Sequence, residues 1–194
     1  MRIYDRIYLE RLQGKMNIGF DFDKIFIDYP FFIPDFIIDK FYKKKKNGNL
    51  FYRIPKRPEQ LLRLLIHQPI FRQPIKKNID FMKTLAAKNT HNYYLISGRF
   101  GFLKDKTLAL IKKHRIEKLF KDLYFNFENN QTHLFKHQLI QKLKIDRYVD
   151  DDFSLLTFLA KKNPKSKFFW LTKNQTKSIT KNLAAIRNLS EIFK

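Results

Sequence analysis

Residues 17–23 read Asn-Ile-Gly-Phe-Asp-Phe-Asp, a short apolar run that ends in two carboxylates. Such a run is typical of a strand buried in a parallel sheet. Alternate residues of a strand point to the same side, so Asp21 and Asp23 are expected to face one site. In isolation an Asp-x-Asp pair is more often a solvated turn. Its position directly after a buried strand favours a functional site instead.

Further apolar runs follow along the chain and alternate with segments of helical spacing. The predicted strands after the first are 93–96, 123–127, 147–149 and 168–171. The predicted helices are 75–88, 104–114, 134–143 and 153–160. This alternation predicts an α/β fold, a three-layer Rossmann-like parallel sheet with helices on both faces. Ligands of such sheets bind beyond the carboxyl ends of the strands.

Polar residues with a chemical use stand at those strand ends. Asp150 and Asp151 follow the fourth strand, and crowded carboxylates with oxygen-only ligands suit Mg²⁺. Asp152 is expected to cap the next helix. Ser97 ends the second strand, where its hydroxyl and nearby backbone N–H groups can hold a phosphoryl oxygen. Gly98 permits close approach of the backbone.

A lysine one helix before the aspartates is a candidate for neutralising phosphate charge. Lys136 is chosen because of its position relative to Asp150, and Lys142 is its nearest competitor. With 40 lysines and arginines in the chain, the residue type alone is not informative.

The sequence predicts a core formed by residues 16–34 and 76–175, which is interrupted by an insertion at 35–75. That insertion is basic and rich in proline, and one short helix within it makes a small, mostly helical cap. Residues 1–15 are interpreted as an N-terminal extension, and Met16 is an alternative start. Residues 176–194 are interpreted as a basic helix or tail.

Composition limits the function classes. The 194 residues contain no cysteine, which excludes disulfides, thiolate metal sites and cysteine nucleophiles. No signal peptide or spanning segment is evident, so a cytoplasmic protein without a membrane partner is expected. The net charge of +22 has two explanations: an anionic partner such as nucleic acid, or general enrichment in lysine.

In order, these elements are similar to those of the haloacid dehalogenase superfamily of phosphohydrolases. The resemblance covers roughly residues 16–172, and the motifs that carry it are GFDFD (19–23), LISGR (95–99), Lys136 and YVDDD (148–152). The presence of all four motifs in the right order is a specific signal for the superfamily, whereas each motif alone is a weak one. Lys24 departs from the pattern, since the family commonly has glycine or another small residue there.

The resemblance implies a role for each site residue. Asp21 would attack the substrate phosphorus, and Asp23 would protonate the leaving oxygen and then activate water. Ser97, Gly98 and Lys136 would hold the phosphoryl group. Mg²⁺ would be bound by Asp21, the backbone carbonyl of Asp23, Asp150 and Asp151.

The size and early cap resemble small phosphatases of the 5′-deoxyribonucleotidase type, so a nucleotide is the leading substrate. The cap aromatics Phe41, Tyr42, Phe51 and Tyr52 fit that substrate, and they fit equally a small cap core. Two alternatives stay open: a phosphatase acting on nucleic-acid ends, and a catalytically silent, basic nucleic-acid-binding protein on the same fold. The first predicts salt-dependent binding to oligonucleotides. The oligomeric state is not predicted.

Overall fold

The computed structural model describes residues 14–30, 43–46, 49–173 and 180–193. Six parallel strands form the central sheet: β1 (Asn17–Phe20), β4 (Asn92–Ser97), β5 (Asp122–Phe125), β6 (Arg147–Asp150), β7 (Lys167–Leu171) and β8 (Leu183–Ile186). Their order across the sheet is β5-β4-β1-β6-β7-β8. The predicted α/β fold with a parallel sheet is confirmed. Because β1 lies between β4 and β6, the polar residues after these three strands meet at one edge.

Helices cover both faces of the sheet. Between the strands run α2 (Lys76–Lys88), α3 (Lys104–His114), α4 (Thr132–Lys142) and α5 (Phe153–Lys162). Successive residues of β4 point to opposite faces of the sheet, and they join two separate hydrophobic clusters. Leu95 packs with α2 and α3 residues such as Met82 and Leu110. Ile96 packs with α4 and α5 residues such as Leu156. Each face is therefore buried beneath its own helix pair.

The segment after β1 combines strand and helix. It contains a two-stranded antiparallel hairpin, β2 (Lys43–Lys46) and β3 (Asn49–Tyr52), followed by α1 (Arg57–Ile66). The hairpin adds strand structure to an insertion predicted to be mostly helical. Its second strand docks on the core, because the Tyr52 backbone N–H donates to Gln131 Oε1 at 3.0 Å. Phe41 and Tyr42 lie outside the described residues.

The prediction of a basic helix or tail at 176–194 is wrong where the structure describes that segment. Residues Leu183–Ile186 form β8, which pairs in parallel with β7. Leu183 and Ile186 are buried, and each packs into a core cluster. A 3₁₀ helix follows at Leu189–Phe193. Pairing with the edge of β7 satisfies the backbone of a short segment that has little strand propensity of its own.

Residues 1–13, within the predicted N-terminal extension, and residues 174–179 lie outside the described residues. Among the helices that the structure describes, none has the length and apolar character needed to cross a membrane.

Candidate active site

A buried ion cluster lies at the carboxyl edge of the sheet. The Lys136 ammonium donates to Asp21 Oδ1 at 2.6 Å and to Asp150 Oδ2 at 2.7 Å. Lys136 and Asp150 are almost completely buried, and Asp21 is 6% exposed. The predicted meeting of residues from three separate segments is therefore observed. Of the two candidate lysines, Lys136 lies in the cluster, whereas Lys142 is exposed at the end of α4.

Sheet pairing places the carboxylates. The ladder between β1 and β6 continues past β1, because the Asp21 N–H donates to the Val149 carbonyl at 2.9 Å. On β7, Trp170 lies opposite Asp150, and its indole N–H donates to the Asp151 carbonyl at 2.9 Å. Strand register thus fixes the backbone on both sides of the cluster.

The third aspartate has a different role. Asp152 caps α5, and its carboxylate accepts from the Leu155 N–H at 3.1 Å, as predicted. The same side chain accepts from the Tyr52 hydroxyl at 2.8 Å. Asp152 therefore links the start of α5 to the inserted hairpin.

Burial dominates the electrostatics of the cluster. It raises the pKa of Asp21 to about 7, against the opposing effect of the Lys136 charge. For Lys136, burial disfavours the charged form, but the carboxylates of Asp150 and Asp21 raise its pKa well above the usual range. The ammonium stays charged and holds two carboxylates that would otherwise repel each other.

The donor set suits a divalent cation. Carboxylate oxygens of Asp21, Asp150 and Asp151 all lie within 4.8 Å of one another. Three carboxyl groups lie around one ammonium, so acidic groups outnumber cations in this mostly buried cluster. Mg²⁺ prefers oxygen ligands of this kind and commonly keeps positions for water and phosphate. The residues present therefore fit the predicted magnesium site.

The Asp23 carboxylate does not join that cluster. It pairs with two guanidinium groups, those of Arg72 and Arg99, and Arg99 reaches it at 2.7 and 2.8 Å. Arg72 is fully buried and lies over the Tyr29 ring, while Arg99 lies over the Phe22 ring. Burial alone would raise the pKa of Asp23, but the charges of Arg99 and Arg72 hold it far below its usual range. This carboxylate is fixed as an anion.

The loop after β4 lies close to the start of α4. Ser97 is buried, and its hydroxyl accepts from the Arg99 N–H at 3.4 Å. A Cβ atom on Gly98 would come within 2.5 Å of the Thr132 side chain. Only glycine allows the loop to approach the helix so closely. Ser97 and Gly98 line the same cavity as Asp21 and Lys136.

That cavity has a volume of about 850 Å³. Pockets that enclose whole ligands have volumes of about 300–1,000 Å³. Its walls include Tyr52 and His67 from the inserted segment, Tyr29 after β1 and Trp170 on β7. The inserted segment therefore forms part of the wall of the cavity.

Lys24 adopts a left-handed backbone conformation, with φ 60°. The position is one that glycine occupies without strain, whereas other residues cost about 1–2 kcal/mol there. Lys24 does pair with Asp28 at 3.1 Å and lies over the Tyr29 ring. The departure from the family pattern is thus accommodated by a strained backbone.

We expect Lys24→Gly to raise the free energy of unfolding by about 1 kcal/mol, because relief of strain exceeds the value of a partly exposed ion pair. Urea denaturation measures it. Lys83→Gly is the matched control, since Lys83 also pairs with a nearby carboxylate, Asp80, but lies within helix α2. The free energy of unfolding of Lys83→Gly should be about 1 kcal/mol lower than that of the wild type. A loss of stability in both variants would contradict the argument from strain.

His67 is a buried histidine beside the two arginines. Its ring Nδ1 lies 2.8 Å from the Arg63 carbonyl, so the neutral ring donates from this nitrogen. Burial, together with the charges of Arg72 and Arg99, lowers the pKa of His67 to about 3. The native state therefore excludes a proton that the unfolded chain takes up near pH 6.5.

Stability should consequently fall as the pH drops from about 6.5 towards 3, with His67 contributing up to about 1.4 kcal/mol per pH unit. We expect His67→Gln to flatten this part of the curve when unfolding is followed in urea at each pH. His137→Gln retains His67 and should keep the wild-type slope. Equal slopes for wild type and His67→Gln would contradict this assignment.

The two arginines that pair with Asp23 were not identified from the sequence. Arg99 stands in the LISGR motif, but the motif gives it no partner. Arg72 lies in the basic insertion, where nothing in the sequence separates it from its neighbours. The sequence contained a usable signal only for Arg99. This arginine stands two residues after Ser97, which was predicted to lie at the same edge of the sheet as Asp23.

The fold and the acidic cluster together define a Rossmann-like α/β protein with its site at the carboxyl edge of the sheet. The sequence matches no protein-family model and no curated protein. Solved structures nevertheless share the fold, and they are haloacid dehalogenase-like hydrolases. The fold of this chain is accordingly haloacid dehalogenase-like.

Three of these structures are bacterial. A haloacid dehalogenase-family enzyme from Bacteroides thetaiotaomicron, an aspartate-to-alanine variant in complex with magnesium and inorganic phosphate, has 12% identity and a TM-score of 0.56, covering 93% of this chain and all of that one. A superfamily hydrolase from Ehrlichia chaffeensis has 14% identity and a TM-score of 0.53, covering 92% and 95%. A haloacid dehalogenase-like family hydrolase from Streptococcus pneumoniae has 13% identity and a TM-score of 0.53. The match covers 82% of this chain and 86% of that one.

Proposed function

We propose that this chain is a magnesium-dependent phosphomonoester hydrolase that acts through an aspartyl-phosphate on Asp21. The observation that carries the proposal is the Asp21–Lys136–Asp150 cluster, with Asp151 beside it, lining a ligand-sized cavity. The similar fold of an enzyme solved with magnesium and phosphate supports it.

The Asp21 carboxylate is the nucleophile. One of its oxygens forms a bond to the substrate phosphorus while the ester bond to the leaving oxygen breaks, which gives an aspartyl-phosphate and an alcohol. Water then attacks the same phosphorus, the bond to Asp21 breaks, and inorganic phosphate is released. The hydrogen bond from the Lys136 ammonium fixes the orientation of the Asp21 carboxylate.

Asp23 moves the protons. As an anion between Arg72 and Arg99, it is suited to accept a proton from the attacking water in the second step. To supply the proton that the leaving oxygen takes up in the first step, Asp23 must first bind a proton, and this requires the contacts with the arginines to loosen when substrate binds. Asp23 therefore couples the chemistry to the position of Arg72.

The remaining residues hold the phosphoryl group. Ser97 and the backbone of Gly98 offer hydrogen-bond donors, and the Lys136 ammonium offers a fixed positive charge. Asp21, Asp150, Asp151 and the Asp23 carbonyl would hold Mg²⁺, which when bound shields the anionic nucleophile from the anionic substrate.

The part of the leaving group next to the phosphate is, we propose, a nucleoside, as in 5′-nucleotidases. Tyr29, Tyr52 and Trp170 line the cavity, and aromatic rings are the surfaces on which bases stack. Tyr52 is held in place by Asp152, and Trp170 by the Asp151 carbonyl. These rings are therefore fixed, which lowers the entropic cost of stacking a base.

The test is a metal-dependent assay with a trap for the intermediate. Full-length protein should hydrolyse p-nitrophenyl phosphate with Mg²⁺ and stop with EDTA, and added Mg²⁺ should restore the rate. After acid quenching, mass spectrometry should find phosphate on the peptide containing Asp21, and hydroxylamine should remove it. Turnover that persists in EDTA, or phosphate trapped on another residue, would refute the mechanism.

A further inference from the structure

Three exposed cations surround the mouth of the cavity. Lys77 lies in the first turn of α2, Lys173 follows β7, and Arg187 follows β8. We call them the mouth cations. Each is exposed to solvent while lining the same cavity as the buried cluster. They approach the opening from three separate elements, so a ligand that fills the cavity contacts several of them.

The mouth cations differ from the other cations of the cavity in having no carboxylate partner among the residues that the structure describes. Lys24 pairs with Asp28, and Arg99 pairs with Asp23. Lys136 pairs with Asp21 and Asp150. Each of the three mouth cations is therefore available to pair with an anionic group of a ligand in the cavity.

These charges are not needed for the phosphoryl group itself. Ser97, Gly98 and Lys136, which line the cavity with Asp21, are the residues that we propose for that role. The mouth cations lie at the exposed rim, where they can meet only the part of the substrate that extends outwards. An uncharged leaving group would leave them without a partner, whereas one that carries phosphates would neutralise them.

Resting on the proposed phosphatase function, we propose that the substrate is the terminal phosphate of a single-stranded oligonucleotide. Its terminal base lies against the aromatic rings of the cavity, and the adjoining phosphodiesters lie against Lys77, Lys173 and Arg187. Cationic grooves with aromatic stacking surfaces are how proteins bind single strands without reading sequence.

The reaction balances as a hydrolysis. Water supplies a hydroxyl to phosphorus, the bond between phosphorus and the terminal ester oxygen breaks, and that oxygen takes up the proton. The products are inorganic phosphate and an oligonucleotide that ends in a hydroxyl. No phosphodiester is cleaved.

The experiment compares kcat/KM for p-nitrophenyl phosphate, thymidine monophosphate and a short oligothymidylate, with the phosphate at the 5′ or the 3′ end. At low salt the better oligonucleotide should exceed the mononucleotide about tenfold or more, as three rim ion pairs allow. Its log kcat/KM should fall with log salt concentration with a slope of about −0.7 for each phosphate contacted.

The decisive variant is the triple substitution Lys77→Gln, Lys173→Gln and Arg187→Gln. It should abolish the oligonucleotide preference and most of the salt slope, while the hydrolysis of p-nitrophenyl phosphate is unchanged. The matched control replaces three exposed lysines away from the cavity by glutamine: Lys88, Lys112 and Lys161. It has the same net charge as the mouth variant and should behave as wild type.

The outcomes separate the two proposals. If p-nitrophenyl phosphate is hydrolysed but the mononucleotide is as good as the oligonucleotide, the substrate inference is overturned and the phosphatase function stands. If the control loses as much preference as the mouth variant, whole-molecule charge is responsible and the inference is again overturned. If no substrate turns over, the phosphatase function is overturned, and the inference with it.

Discussion

Asp21→Asn should eliminate phosphatase turnover, with kcat lower by on the order of 1,000-fold or more. An amide oxygen is neutral and a poor nucleophile, so no acyl-phosphate forms. The fold should survive, because the change removes one of three carboxylates that face a single ammonium and so lessens repulsion in the cluster. Phosphate release and urea denaturation measure the two effects.

Asp152→Asn is the control within the same acidic run as Asp150 and Asp151. Asparagine caps helices as well as aspartate does, and the Asp152 side chain contacts Leu155 and Tyr52, while only its backbone N–H, which the substitution keeps, donates to Asp150. Its activity should stay within about threefold of wild type. Full activity of Asp21→Asn would remove Asp21 as nucleophile. Equal loss in both variants would mean that local structure, and not nucleophilicity, was at fault.

The sequence was sufficient to predict the parallel sheet and to predict that the polar residues after its strands lie close together. Strands such as 93–96 and 168–171 are continuous apolar runs, and the topology of parallel sheets brings the carboxyl ends of neighbouring strands together. Asp21 and Asp150 could be placed together for this reason. Lys136 could be chosen because the helix that precedes β6 begins at the same edge, and Lys136 lies in the first half of that helix.

The features that the sequence could not predict depend on tertiary contacts. Leu183–Ile186 contains two alanines and follows lysines, so its local pattern favours a helix, and only the open edge of β7 makes it a strand. The Arg72–Asp23 pair joins residues 49 apart in a chain with 40 lysines and arginines. No periodicity selects one arginine among so many. The sequence shows which residues are charged, but it does not show which of them form ion pairs with one another.

Lys136→Met should destabilise the protein by about 3–5 kcal/mol in EDTA, because it leaves the carboxylates of Asp21 and Asp150 buried without their cation. Methionine has a similar length, so little packing is lost. We also expect kcat/KM to fall by about 100- to 1,000-fold through loss of a charge that holds the phosphoryl group. Urea denaturation with and without Mg²⁺ should show the stability loss shrinking when the divalent cation is present.

Lys142→Met tests whether the effect belongs to the cluster or to the helix. Lys142 lies on the same helix but is exposed at its end, and its replacement should change stability by no more than about 0.5 kcal/mol. The double variant Asp21→Asn with Lys136→Met should recover part of the lost stability, since only one buried carboxylate is then left uncompensated. If the two substitutions instead add without coupling, Lys136 does not act through Asp21, and its place at the centre of the site has to be abandoned.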